Sequence, residues 1–437
     1  MDIRKARDQE KALKADGQGL GVRSLGTDQE DRVAELLELV LDRNTFQRGR
    51  VEGLDLGEAP SLFDLRPLTK RDLVADQERN PPFGTNLTFP LESYTQLFQT
   101  SGTTAHPLRV LETAEDWDWW RARFANTMTV AGMDSSDRVA LAFSFGPHVQ
   151  FWAAKEGLQE IGAMGISLGG MGSVQRLQTI AETQATTLWC TPTYALHLLE
   201  VAVEQRLESA LESIGRVLCT GEPGGSLPGV RSRIEEGFGA VCIDHAGLTE
   251  AGPFGDPCPD GHGLHIDERE FVCEILDEDL NPTPQGDRGE LVITPLGLRG
   301  FPALRYRTGD SVIATEERCP AGHESRWLPG GIVGRTDDMV VIRGMNVYPS
   351  AIEEAVRQFS STGEFRITFY TERSGMDEVK LEVELTEGTD ARRLQDSMRQ
   401  QLGLRVRIVP IAPGVLPRQT GKSRRVVDER TPRLVAS

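Results

Sequence analysis

The feature that most constrains this chain is a regular alternation of short β-rich runs and longer helical stretches between residues 138 and 243. The β-rich runs are residues 138–145, 186–190, 216–219 and 240–243. The stretches with helical character lie between and around them, at residues 150–161, 174–184, 193–213 and 230–237. Such alternation predicts an α/β fold built on a largely parallel sheet.

The pattern changes on both sides of this region. Residues 30–45 place apolar side chains at helical spacing and predict an amphipathic helix. From about residue 256 to 336 strand follows strand, which is typical of an antiparallel β-rich part. We therefore predict a large N-terminal domain, residues 1–336, and a small mobile α+β lid domain, residues 337–437. The lid domain is predicted to have a helix at 350–359, a strand at 378–385 and a helix at 391–402.

Two segments could bind phosphate and metal. Thr100, Ser101, Gly102, Thr103 and Thr104 combine small residues with hydroxyl donors, which is the chemistry of a phosphate-binding turn. Asp244, His245, Thr249 and Glu250 follow a predicted strand, at the sheet edge where α/β proteins bind ligands. A carboxylate there can hold Mg²⁺ beside a triphosphate. Taken alone, however, the first segment is also consistent with a plain loop, and the second with a capped strand-to-helix turn.

Three later segments carry charge beside glycine. Asp310 follows a glycine turn and could accept hydrogen bonds from ribose hydroxyls, and the planar guanidinium of Arg335 could contact phosphate or sugar. The segment of Arg335 continues through Arg343, Gly344 and Tyr348, and Lys422 lies in a Gly/Thr loop near the C-terminus, which is the last of the three. Each alone is also consistent with a solvated turn.

Taken in order, the five segments resemble the adenylate-forming superfamily of acyl-CoA synthetases, and most closely the phenylacetate-CoA ligase family. Residues 67–73, 190–196, 263–265 and 344–354 support the similarity, which covers about residues 60 to 430. It implies ATP and CoA as substrates beside the acid, with Mg²⁺ as the cofactor. Lys422, Glu250 and Arg335 would be catalytic, Glu250 as the Mg²⁺ ligand, and Asp337 the hinge.

The resemblance also implies the remaining site residues. The ATP site would comprise Thr100 to Thr104, Gly221, Glu222, Pro223, Asp244, His245, Thr249, Asp310 and Arg335. The acid pocket would include Phe145, His148, Gly169, Gly170, Ala246, Gly247 and Pro253, and His245 could line it as well. Arg343, Gly344 and Tyr348 would contact CoA.

The chain departs from the family at two places. Ala105-His106-Pro107 stands where relatives usually have Gly-Lys-Pro, and Ala246 stands where they usually have an aromatic residue. The expected activity is an ATP-dependent carboxylate-CoA ligase acting on an aryl or other hydrophobic acid. Two alternatives remain: an adenylating enzyme with an amine or carrier-protein acceptor, and a catalytically impaired nucleotide- or acid-binding homologue.

Cysteine and histidine residues cluster in two loops of the β-rich part. Cys258, His265, Cys319 and His323 match the ligand types of a closed zinc site, with His262 as a reserve ligand. The family resemblance supports this expectation.

Charge and hydropathy limit the partners. With 48 Lys and Arg against 66 Asp and Glu, the net charge of −18 disfavours binding to nucleic acid or an anionic membrane. No uncharged stretch approaches the roughly 20 apolar residues of a transmembrane helix, and no secretory signal is recognisable. We expect a cytoplasmic protein, and a homodimer only by analogy with relatives.

Overall fold

The computed structural model of the protein describes residues 25–52, 61–100, 107–143, 145–258, 260–336, 338, 340–342, 345–359, 361–372, 376–386, 391–402, 406–418 and 425–430. Within these ranges, none of the helices has both the length and the apolar composition needed to cross a bilayer.

Within the described residues, three α-helices and a hairpin lie before residue 114. The elements are α1 (Thr27–Arg43), α2 (Thr45–Val51), α3 (Lys70–Arg79), β1 (Tyr94–Gln99) and β2 (Arg109–Thr113). Helix α1 confirms the helix predicted at 30–45 and buries Val33, Leu36, Leu37 and Val40, whose spacing places them on one helical face. The antiparallel β1–β2 hairpin connects through the segment predicted to bind phosphate.

A five-stranded parallel sheet forms the centre of the large domain, as the alternation predicted. Its strands are β3 (Arg138–Leu141), β4 (Met164–Ser167), β5 (Thr187–Cys190), β6 (Arg216–Cys219) and β7 (Val241–Asp244), in the order β4-β3-β5-β6-β7. The helices are α4 (Ala114–Val130), α5 (Val149–Glu160), α6 (Ser173–Thr183), α7 (Pro192–Gln205) and α8 (Pro228–Phe238).

These helices cover both faces of the sheet. Residues of α4 and α5 pack in one hydrophobic cluster with sheet residues, and residues of α6, α7 and α8 pack in another. Helix α4 was not predicted, and neither was the edge strand β4. Both faces of the sheet are therefore buried, which is usual for parallel strands.

The β-rich part consists of two antiparallel four-stranded sheets, as predicted. Its strands are β8 (Ala246–Leu248), β9 (Gly252–Pro257), β10 (Gly263–Ile266), β11 (Phe271–Leu276), β12 (Arg288–Pro295), β13 (Tyr306–Ile313), β14 (Arg326–Pro329) and β15 (Gly334–Arg335). The first sheet has the order β14-β10-β9-β8 and the second β11-β12-β13-β15. Their buried side chains share one hydrophobic cluster.

The last part of the chain is α+β. It contains β16 (Val340–Ile342), β17 (Met345–Val347), α9 (Pro349–Arg357), β18 (Thr362–Thr371), β19 (Asp377–Leu385), α10 (Ala391–Leu402), β20 (Arg407–Ile411) and β21 (Val426–Glu429). Four strands form a mixed sheet of order β20-β19-β18-β21, with a hydrophobic cluster of its own. The three elements predicted after residue 349 are confirmed, at bounds within two residues.

Candidate active site

Strand β7 ends at a half-buried carboxylate, that of Asp244. Ser226 Oγ donates a hydrogen bond of 2.7 Å to Asp244 Oδ2, and the backbone N–H of His245 donates to Oδ1 over 3.1 Å. Burial raises the pKa of Asp244 to about 6. A Cβ atom at Gly225 would lie 2.7 Å from Asp244 Oδ1, so this position accepts only glycine without a shift of its neighbours. Asp244 therefore joins the loop that contains Gly225 and Ser226 to the carboxyl end of β7.

Glu250 lies in the turn after β8, following Thr249, and is 4% exposed. Lys70 Nζ lies 3.4 Å from Glu250 Oε1. Lys70 begins α3, whose capping box between Thr69 and Asp72 fixes the helix start. Tyr306 also interacts with Glu250, and burial, followed by the Glu250 charge, raises the pKa of Tyr306 well above its usual value. Glu250 thus offers a buried carboxylate beside one ammonium group.

Asp310 and Arg335 face each other across β13 and β15. Their Cα atoms are paired in the sheet register, and Arg335 Nη1 donates to Asp310 Oδ1 and to the carbonyl oxygen of Thr308, both over 2.9 Å. Gly309 has φ +73°, and a Cβ atom there would lie 2.5 Å from Arg335 Nη2. Only glycine therefore allows the turn and the close approach of the guanidinium. The structure brings together two residues that the sequence assigned to the nucleotide.

The residues predicted for the acid pocket fall into two groups. In the first, His148 Nδ1 lies 3.2 Å from the carbonyl oxygen of Gln99, and a Cβ at Gly169 would lie 3.2 Å from the Phe145 ring. Gly170, with φ +80°, has open space around it. The second group lies on β8 and β9, where Ala246 pairs with Gly255 and a Cβ at Gly247 would lie 3.1 Å from Pro253 Cα and 3.3 Å from Gln150 Nε2.

Between the sheet and helices α4 and α5 lies a crevice lined mainly by aromatic rings. Phe124, Phe143, Phe151 and Trp189 contribute rings, and the imidazole of His245 closes one side. Phe143, Phe151 and His245 lie in segments that the sequence predicts to form the acid pocket, residues 143–152 and 244–255, whereas Phe124 was missed because its helix was not predicted. Trp189 could have been found as the penultimate residue of a parallel strand, near the carboxyl edge where ligands bind.

Other predicted ATP-site residues have local structural contacts. Thr100 is buried, and its Oγ1 accepts a hydrogen bond of 3.3 Å from the Leu108 N–H. Glu222 Oε1 accepts a bond of 2.8 Å from the Thr193 N–H, at the first turn of α7, and burial raises its pKa. Gly221, before Glu222 and Pro223, has φ +90°.

Several predicted residues lie outside the described part of the chain. They are Ser101, Gly102, Thr103, Thr104, Asp337, Arg343, Gly344 and Lys422. Tyr348 is described, and the guanidinium carbon of Arg288 lies 5.1 Å from the centroid of its ring. The roles predicted for these eight residues and for Tyr348 remain predictions.

The predicted zinc ligands largely converge. One ligand atom each of Cys258, His265 and Cys319 lies within 4.8 Å of the others, and the two Sγ atoms are 3.6 Å apart. His265 Nε2 is buried without a hydrogen-bond partner, while Nδ1 lies 3.4 Å from the Ser325 carbonyl oxygen. The His323 ring centroid is 4.9 Å from that of His265, and His262 contributes its carbonyl oxygen to Trp327 Nε1.

Side chains from the α+β part reach helices α7 and α8 of the large domain. Arg425 Nη1 donates to Thr193 Oγ1 over 3.0 Å, and Arg418 Nε lies 2.8 Å from Glu200 Oε2. The Gly229 N–H donates to Glu354 Oε1 over 2.7 Å. The sequence did not predict these contacts.

Comparison with known families gives two matches. Residues 60–298 match the AMP-binding enzyme family, and residues 344–430 match the AMP-binding enzyme C-terminal domain.

Among curated proteins, the chain is similar to phenylacetate-coenzyme A ligases. It is 28% identical to that of Thermus thermophilus, over 92% of this chain and 96% of the relative. It is 29% identical to that of Escherichia coli K12, over 89% and 90%.

Among solved structures, the chain resembles 2-hydroxyisobutyryl-CoA ligase. The TM-score is 0.85 for that enzyme in the postadenylation state with its acyl-AMP, at 28% identity over 95% of this chain and 93% of the other. It is 0.68 for the thioesterification state with CoA, at 30% identity over 92% and 89%. The arrangement of the chain is therefore closer to the postadenylation structure.

Proposed function

Because the chain belongs to the phenylacetate-CoA ligase family of adenylate-forming, AMP-binding enzymes, we propose that it is an ATP-dependent carboxylate-CoA ligase. A carboxylate oxygen attacks the α-phosphorus of ATP, and the bond to the pyrophosphate oxygen breaks. The thiol sulfur of CoA then attacks the acyl carbon, AMP leaves with the carboxylate oxygen, and the thiol proton is released. The enzyme is an acid-thiol ligase.

The observation that carries this proposal is the arrangement of Glu250, Lys70, Tyr306, Asp310 and Arg335. Strand β13 begins with Tyr306 beside Glu250 and continues to Asp310 beside Arg335. One strand thus connects the carboxylate proposed for Mg²⁺ to the carboxylate proposed for ribose.

In the adenylation step, each of these groups would have a distinct task. Asp310 would accept hydrogen bonds from the ribose hydroxyls, and Arg335 would hold the Asp310 carboxylate and contact the nucleotide. Glu250 fits Mg²⁺ by donor type, since carboxylate oxygens are its preferred protein ligands, and the ion would supply charge neutralisation of the phosphates. The predicted Lys422 would stabilise charge that builds up between the attacking carboxylate and the phosphate.

Residues 100 to 104 and 221 to 223 would complete the phosphate and nucleotide site. Glycine at 221 and hydroxyl donors in the first segment allow backbone and side-chain donors to approach an anion. This chain has Ala105-His106 where relatives usually have Gly-Lys, and so it lacks that lysine. Lys70, whose Nζ lies 3.4 Å from Glu250 Oε1, would supply a positive charge at the site instead.

The second step would use the lid domain, with a boundary at residues 336/337. Asp337 would act as the hinge, and Arg343, Gly344 and Tyr348 would contact CoA. The two states solved for 2-hydroxyisobutyryl-CoA ligase support a reorientation between half-reactions. A cytoplasmic location, the Mg²⁺ requirement and a homodimer are further parts of the proposal.

We also propose a structural zinc ion held by Cys258, His265 and Cys319, with His323 as the fourth ligand. The fit rests on His265: its Nδ1 can donate to the Ser325 carbonyl oxygen, its Nε2 is left unpartnered, and one of its ring nitrogens lies within 4.8 Å of both thiols. The ion would join the loop after β9 to the loop before β14.

The test of adenylation is acid-dependent exchange of labelled pyrophosphate into ATP, measured with a panel of aryl and aliphatic acids. We expect exchange with at least one hydrophobic acid and none without acid. Exchange that is absent with every acid would contradict the proposal.

A further inference from the structure

The side chain of His245 presents a hydrogen-bonding group that the fold leaves unused. Its Nδ1 lies 2.9 Å from the carbonyl oxygen of Gly255, which can only accept, so Nδ1 carries the hydrogen. Burial lowers the pKa of His245 to about 4, so the ring is neutral near pH 7. The second nitrogen, Nε2, is therefore a hydrogen-bond acceptor.

This acceptor has no partner among the described residues. His245 is only 3% exposed, and its Nε2 atom is buried away from solvent. A buried polar atom without a hydrogen bond destabilises the folded protein, because it has lost its bonds to water. Native proteins contain few such atoms, and a bound ligand is one explanation for them.

The position of the ring connects this atom with the proposed active site. His245 directly follows Asp244 at the end of β7 and precedes Gly247, whose Cβ position is 3.3 Å from Gln150 Nε2. The crevice that the ring lines also includes Gln150 and Thr220, the residue before the Gly221 turn. The crevice thus adjoins the carboxyl edge of the sheet, where the acid would be activated.

The walls of the crevice are aromatic. The His245 ring centroid lies 5.5 Å from that of Phe124 and 6.3 Å from that of Trp189, both in edge-to-face orientation. Phe143 stacks on Phe151 with centroids 4.0 Å apart. Rings of this kind favour a flat apolar ligand, but they would have to move apart to admit one, because the crevice in this structure is too narrow for a water molecule.

Trp189 supplies a second unused group of the opposite kind. Its Nε1–H is buried without a hydrogen-bond partner in the described part of the chain, and an indole nitrogen can only donate. Both residues line the same crevice, and a ligand hydroxyl, which both donates and accepts, could satisfy either of these unused groups. A methyl group or a bare ring edge would leave both unsatisfied.

We propose that His245 determines acid specificity, and that the acid is an aryl carboxylic acid bearing a ring hydroxyl that donates to His245 Nε2. This inference rests on the proposed ligase function and names the substrate class of that site. The apolar walls hold the ring, and the hydroxyl carries the selectivity. A site built to hydrogen-bond a hydroxyl discriminates strongly against the analogue that lacks it.

The test compares matched acids in pyrophosphate exchange: phenylacetate, its 2-, 3- and 4-hydroxy derivatives, and the corresponding methoxy derivatives. We expect one hydroxy isomer to exceed phenylacetate at least tenfold in kcat/KM. Its methoxy counterpart, which accepts but cannot donate, should lose that advantage. Equal rates for the hydroxy, methoxy and unsubstituted acids would overturn the inference while leaving adenylation itself intact.

Two variants separate recognition from folding. His245→Asn keeps a short donor towards Gly255 and removes the Nε2 acceptor, so the hydroxy-to-unsubstituted ratio of kcat/KM should fall at least tenfold. His197→Asn is the matched control, because His197 also has a buried, unpartnered ring nitrogen and a pKa lowered by burial, but it lines a different cleft. This control should leave the ratio unchanged.

A His245→Asn protein that loses activity with both acids in equal proportion would show that the residue is only structural and would overturn the inference. If no acid supports exchange with the wild-type protein, the ligase proposal itself fails, and the two failures are therefore distinguishable.

Discussion

At the scale of single residues, Asp310 is central to the proposed nucleotide site. Its carboxylate is held by Arg335, and it is proposed to accept hydrogen bonds from ribose. We expect Asp310→Ala to weaken ATP binding by about 1.5 to 3 kcal/mol, the usual worth of hydrogen bonds to a charged group, or more than tenfold in Kd. Isothermal titration with ATP measures the change.

Asp287→Ala is the matched control for this variant. Asp287 is an exposed carboxylate in the turn before β12 of the same sheet. Its removal should leave the ATP affinity within the error of the titration. If the Asp310 variant binds ATP as the wild type does, Asp310 does not contact the nucleotide.

The individual motifs were visible in the sequence, but their contacts were not. Glycine beside Asp310 and a carboxylate after β7 are local signals that a reader can find. The approach of Lys70 to Glu250 joins residues 180 positions apart, and no local pattern reports it. The unused nitrogen of His245 likewise depends on Gly255 and on helix α4, so only the packed structure reveals it.

At the scale of elements, the loops around β10 and β14 carry the zinc proposal. We expect the purified protein to contain about one zinc per chain, and Cys319→Ser to lose the metal and lower Tm, because a closed site contributes folding free energy. Atomic absorption and thermal unfolding measure the two effects.

Cys273→Ser provides the control, since Cys273 is a buried thiol of β11 and is not one of the converging ligands. It should retain the zinc whatever its effect on Tm. Wild-type protein that is stable and free of metal would refute the zinc site.

Helix α4 shows why an element can escape sequence-based prediction. Its buried side chains include Asp116, Arg123 and Thr127, so apolar residues alone do not mark its inner face. Arg123 can be buried because its guanidinium contacts Asp256 and Asp267, each over 2.8 Å. Both aspartates lie more than 130 positions after Arg123, so no local pattern reveals this pairing. The helices predicted between residues 138 and 243 could be recognised from their own residues.

At the scale of the whole molecule, the two half-reactions should be separable. Lys422 is proposed to act only in adenylation, so Lys422→Ala should abolish pyrophosphate exchange yet form thioester from supplied acyl-adenylate and CoA. Asp337→Pro should do the reverse, because proline fixes φ near −65° and restricts the proposed hinge. We expect it to slow thioester formation at least tenfold, or about 1.4 kcal/mol of barrier.

Contacts such as Arg425 with Thr193 and Arg418 with Glu200 join the α+β part to helix α7 in the present arrangement. A reorientation of the lid would have to break them. If both variants lose both half-reactions to the same extent while remaining folded, a two-orientation mechanism does not apply to this protein.

The carboxylate-CoA ligase function is tested most directly by CoA-dependent AMP release, followed together with acyl-CoA formation, in the presence of ATP, Mg²⁺ and a hydroxylated aryl acid. We expect AMP and acyl-CoA in equal amounts, with no turnover when either the acid or CoA is omitted. Steady AMP release that does not depend on CoA, or acyl transfer to an amine in its place, would contradict that function.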